Sequence, residues 1–123
     1  MTETPRPGRA APIDVPLERF EQLVADALDS IPPELGSLLD NVVVQVSDEP
    51  AGRLYGLYEG IPLTRRHNYG ALAMPDRITI FRRTILRHAT TEDRVVELVR
   101  RTVIHEVAHH FGISDARLRE LGW

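Results

Sequence analysis

The sequence predicts an α+β domain, and three observations lead there. Helical periodicity occupies one stretch near the start of the 123 residues and a longer one near the end. Between them lie short β-branched or alternating runs bounded by turn residues. The resulting order, helix then strands then helix, differs from the strand–helix alternation that builds parallel α/β sheets. No internal repeat and no linker divides the chain, so residues 16–123 are expected to form a single domain.

Residues 1–15 lack periodicity and contain Pro5, Pro7 and Pro12, which predicts a disordered N-terminal arm. In "PLERFEQLVADALDSI", Phe20, Leu23, Val24, Ala27 and Leu28 recur at helical spacing, with Pro16 suited to the first turn. "PPELGSLLDN" stops this helix and leaves room for one short turn. "NVVVQVSDEP" reads as a strand, and "GRLYGLYEGIPLT" as a second strand interrupted by glycine, a candidate hairpin arm. "RRHNYGALAMPD" is loop-like. "RITIFRRTI" alternates over about 77–82, and its arginines suggest a solvated or edge strand. "TTEDRVVELVRRTVIHEVAHHFG" is the longest periodic segment. Thr90 or Thr91 can cap it, Glu92 and Asp93 suit its first turn, and Gly112 suits its end. "SDARLRELGW" then predicts a short last helix with Ser114 as its cap.

Composition narrows the function classes. The formal net charge of -3 argues against a sequence-independent nucleic-acid binder, which needs a basic surface. All fifteen cationic residues are Arg. There is no Cys, hence no disulfide framework, no thiolate ligand and no cysteine nucleophile. Any metal must be held by His and carboxylate. No apolar run approaches the ~20 residues that span a bilayer, and the N-terminus lacks a secretory signal's apolar core. A cytoplasmic location is expected.

The chemistry concentrates in "IHEVAHHFGISD", residues 104–115. On a helix, positions i and i+4 lie about 40° apart. His105 and His109 therefore project from one face, a turn apart, where two imidazoles can reach one ion. Glu106, about 100° round from His105, can reach a water on that ion without ligating it. Val96, Val99, Val103 and Val107 fall on another side of the wheel, about 120° to 200° from His105. The helix is thus expected to turn its valines to the core and its histidines, with Leu98 and Thr102, to a cleft. Catalytic zinc usually takes three protein ligands and a water. Gly112 permits the reversal that brings Asp115 back as the third, since glycine takes positive φ without penalty. Asp115 also stands where it could cap the last helix. His110 projects about 140° from His105, which suits a surface or supporting histidine rather than a ligand. His67 and His88 are expected to be structural or exposed.

The string His-Glu-x-x-His-x-x-Gly-x-x-Asp resembles the signature of zincin metallopeptidases, in the form where Asp replaces the third His of most metzincins. With "GLYEGIPLT", "MPDRITIFRRTIL" and "VIHEVAHHFGISDARLRELGW", the chain from about Val42 onward resembles a family of small bacterial zincin-like metallopeptidases described as minimal proteases. That resemblance implies zinc ligands His105, His109 and Asp115 and a general base, Glu106. It implies a zincin-like fold in which a small mixed β-sheet packs against an N-terminal helix and the long active-site helix, with "RITIFRR" close to the cleft. By the same analogy an edge strand there binds extended substrate through backbone pairing. Only "ARLRELGW" follows Asp115, without the methionine of the Met-turn that larger metzincins carry.

The expected function is zinc-dependent hydrolysis of peptide bonds by a metal-activated water, with a peptide or protein substrate as partner and Glu106 as base. Tyr58, Tyr69 and Arg82 are the candidates for stabilising an oxyanion. The alternative is a non-catalytic, zinc-stabilised interaction module. It would be favoured if His67, His88 or His110 closed the fourth coordination position.

Overall fold

The computed structural model describes residues 13–61 and 75–120. Helix α1 (Leu17–Asp29) follows Pro16, whose carbonyl accepts the Phe20 N–H at 2.9 Å. Phe20, Leu23, Val24 and Ala27 are buried, as their spacing predicts. The chain is already fastened before the helix begins. Ile13 N–H bonds the Ala89 carbonyl at 3.1 Å, and Val15 is buried in the core. Packing thus starts earlier than the boundary expected at residue 16, and residues 1–12 lie outside the described residues. After α1 come a one-turn helix α2 (Pro33–Gly36) and a 3-10 turn (Ser37–Leu39).

Among the described residues three strands form one mixed sheet: β1 (Val42–Ser47), β2 (Gly56–Glu59) and β3 (Asp76–Phe81), in the order β1-β3-β2. β1 runs parallel to β3 with Val44 opposite Ile78; β2 runs antiparallel with Tyr58 opposite Ile78. β3 is therefore the central strand, which corrects the expectation of a solvated edge. The reason lies in its side chains. Asp76, Ile78, Thr79 and Ile80 are all buried, and Arg77 is exposed. Arg82 and Arg83, which made the segment look solvated, belong to a separate helix, α3 (Arg82–Arg87). Among the described residues β2, not β3, forms the sheet edge beside the long helix.

That helix, α4 (Glu92–His110), packs against α1, β2 and β3. Thr91 caps it by accepting the Arg94 N–H at 3.1 Å, and Glu92 and Asp93 occupy its first turn, where the helix dipole favours acids. Contact with two neighbouring layers widens the buried arc beyond a single valine stripe. Val99, Val103 and Val107 are buried as expected, but Val96 is 40% exposed and Val95 fully buried instead. Leu98 and Thr102, expected on the cleft side, are buried too. They form the cleft's floor, so the two faces predicted from the wheel are continuous rather than opposed. Glu106 lies within this buried arc.

Gly56 allows the close approach of strand and helix. A Cβ there would stand 2.7 Å from Thr102 Cγ2 and 3.0 Å from Glu106 Cγ, so the helix side chains would have to shift to admit it. No described helix is long and apolar enough to cross a membrane.

Candidate metal centre

The end of α4 is built to reverse the chain. Gly112 N–H bonds the His109 carbonyl at 2.9 Å, and Ile113 N–H bonds the Ala108 carbonyl at 2.9 Å. This is the paired closure of a Schellman motif, with Gly112 in the left-handed region at φ 82°. A short helix, α5 (Asp115–Glu120), starts three residues later. Ser114 caps it, its hydroxyl oxygen accepting the Arg117 N–H at 3.2 Å. The capping role is thus filled by Ser114, and the Asp115 carboxylate turns to the histidines.

His105 and His109 sit one turn apart with their rings edge to face and centroids 4.8 Å apart. Asp115 Oδ1 lies 2.7 Å from His105 Nε2 and 3.2 Å from His109 Nε2. The structure brings together all three side chains singled out as ligands, with one donor atom from each lying within 4.8 Å of the others. The set fits zinc. Two imidazole nitrogens and a carboxylate oxygen are ligands zinc accepts at about 2.0–2.2 Å. Donors around a tetrahedral ion of that size stand roughly 3.3 Å apart; Asp115 lies at 2.7 and 3.2 Å from the two imidazoles, and all three donors fall within 4.8 Å of one another. The three side chains remain partly exposed, at 40%, 26% and 66%, which leaves the open side a water or substrate needs.

Glu106 differs from them in setting. It is 7% exposed, and the backbone N–H of Tyr58 donates to it. Burial pushes its carboxyl above the usual carboxylate range, against the pull of His109, His105 and that N–H.

The other histidines stand apart. His88 Nδ1 lies 2.9 Å from the Thr84 carbonyl oxygen, and its ring meets Tyr55 edge-on. His110 is not at the surface: it is 2% exposed, with Nδ1 2.8 Å from Asp76 Oδ2. Tyr58 donates its hydroxyl to the same oxygen at 2.5 Å. Among the described residues neither His88 nor His110 joins the metal-binding group. His67 and Tyr69 lie outside the described residues. Arg82 is no oxyanion candidate, because its guanidinium is committed to the Val15 carbonyl and the Asp48 carboxylate. Asp76 was missed by sequence reasoning. An aspartate at the start of a strand carries no local signal, and its partners come from residues 18 and 34 positions away.

The site opens into a cleft of about 840 Å³ that extends along α4 and β2. Leu54 and Leu57 line it and are exposed; Leu98 and Thr102 line it from the helix. Fold and site together define a small α+β protein with a candidate metal centre where its longest helix ends. The chain belongs to the zincin-like metallopeptidase family, whose sequence profile matches residues 39–123. The matched span takes in the whole sheet, α4 and α5, and leaves α1 outside. No curated protein matches the chain.

Proposed function

We propose that this protein is a zinc-dependent peptidase, with His105, His109 and Asp115 holding the ion and Glu106 acting as general base. The observation that carries this reading is the convergence of three donors on one point, beside a buried glutamate and open to a cleft. Zinc bound there would supply Lewis acidity and lower the pKa of its water towards about 7.

The remaining roles fall to the chain itself. Glu106 takes the proton of the attacking water and delivers it to the amide nitrogen as the C–N bond breaks. Its buried setting raises its basicity, and the Tyr58 N–H holds the carboxylate in place. β2, the sheet edge among the described residues, borders the cleft where an extended peptide can add by backbone pairing, with Leu54 and Leu57 available to its apolar side chains. The Tyr58 hydroxyl is engaged with Asp76 and is not assigned to the oxyanion.

The test compares wild type with Glu106→Gln for zinc content and peptide cleavage. The variant is expected to keep its zinc and lose about 10²- to 10⁴-fold in cleavage rate. Equal cleavage by both proteins contradicts the base assignment. Zinc-loaded wild type that cleaves no peptide favours the non-catalytic module.

A further inference from the structure

The zinc ligands are divided between two helices. His105 and His109 belong to α4, Asp115 to α5, and the turn at Gly112 is the only covalent path between them. Helix ends fray unless something holds them, and fraying here would carry Asp115 away from the imidazoles. His110 is the last residue of α4. Its ring is buried, with Nδ1 2.8 Å from Asp76 Oδ2 on the central strand. Tyr58 on the edge strand donates to that same oxygen, and its ring meets the His110 ring edge to face. The second Asp76 oxygen faces the Ile61 N–H at 3.4 Å. One buried carboxylate thus joins the last turn of α4 to two strands of the sheet.

The geometry points to Asp76, His110 and Tyr58 as positioning residues that anchor the metal-binding turn. None is a ligand. They act by fixing the point from which the chain reverses, and so the distance between Asp115 and the two histidines. Tyr58 adds a second connection, because its backbone N–H donates to Glu106 while its side chain is fixed by Asp76. Substitution of residues that orient a metal's ligands typically costs 10- to 100-fold in affinity.

The inference rests on the zinc reading above, and its test separates the two. Zinc affinity is measured by competition with a chromophoric chelator for wild type, Asp76→Asn, Tyr58→Phe and Leu23→Ala, a core truncation on α1 that lowers stability without touching the anchor. Asp76→Asn is expected to bind zinc about tenfold more weakly or worse, and Tyr58→Phe about threefold more weakly. Leu23→Ala, although less stable, should bind as wild type does. With cobalt in place of zinc, the visible absorption of Asp76→Asn should move towards that of Asp115→Ala, a signature that general loss of stability does not produce. In the metal-free proteins, amides of residues 107–113 should exchange faster in Asp76→Asn than in Leu23→Ala. The anchor is overturned if Asp76→Asn folds and matches wild type in zinc affinity, cobalt spectrum and exchange. If Asp76→Asn does not fold, Tyr58→Phe decides, and wild-type affinity and exchange there overturn it equally. A wild type that binds no zinc refutes the metal reading instead, while the exchange comparison still reports on the anchor.

Discussion

His109 and His110 are consecutive on α4, and each ring lies within about 3 Å of an aspartate oxygen, yet the two clusters have opposite settings. In the first, His109 shares Asp115 with His105, and the side chains are 26% to 66% exposed. In the second, His110 and Asp76 are 2% and 3% exposed and are joined by Tyr58. A helix turns about 100° per residue, so one step along the chain moves an imidazole from cleft to core. The same pair of groups then does different work. A partly exposed imidazole–carboxylate set can exchange its hydrogen bonds for a metal ion, because solvent and space are at hand. A buried set has no such freedom, and its value lies in holding α4 to the sheet.

The strongest way to break this comparison is to remove one member of each cluster in metal-free protein. His110→Ala leaves the Asp76 carboxylate buried without its imidazole and is expected to cost about 3–5 kcal/mol, measured by urea unfolding. His105→Ala removes a partly exposed group and should change stability by only about 0.5 kcal/mol. Comparable losses from the two would remove the distinction.

Zinc sharpens the contrast from the other side. At a hundred times its dissociation constant, it should stabilise wild type by about 2.7 kcal/mol and leave His105→Ala unchanged, read as a shift in melting temperature. Gly56→Ala tests the closeness of β2 to α4. The added Cβ meets Thr102 and Glu106, so a cost of about 1–3 kcal/mol is expected in the same unfolding assay.

The smallest effect concerns Glu106. Its folded-state carboxyl is raised by burial, so the folded chain favours the protonated form more than the unfolded chain does. That contribution is fully present below the ordinary glutamate pKa of about 4.3 and is lost as pH rises through the folded value. Glu106→Gln should therefore melt slightly higher than wild type at neutral pH in the absence of metal. The difference should shrink as pH falls towards about 4. A lower melting point for the variant at neutral pH contradicts this.

Much of the first cluster could be read from the chain, because its signals are local. Two histidines a turn apart, a glycine at the helix end, a serine able to cap and an aspartate after it all lie within residues 105–115. Thr91 as a cap and the buried positions of α1 were legible for the same reason. The second cluster was not. His110, Tyr58 and Asp76 meet only because β2 and β3 pair beneath α4, and strand order is a long-range property. The misplaced edge followed from that too. Arg82 and Arg83 gave "RITIFRR" a solvated look, although both lie beyond the strand in α3. The valine stripe was read too narrowly because a helical wheel does not show how many neighbours a helix has. With α1, β2 and β3 all against α4, Val95, Leu98 and Thr102 became interior while Val96 stayed outside.

On the proposed function, the first cluster holds a catalytic type of zinc centre, open on one side. The direct measurement is a crystal structure of protein loaded with zinc, with anomalous diffraction recorded across the zinc absorption edge. One anomalous peak is expected, bonded to His105 Nε2, His109 Nε2 and an Asp115 oxygen, with the fourth position filled by water. A peak elsewhere, or one closed by a fourth protein side chain, would contradict it.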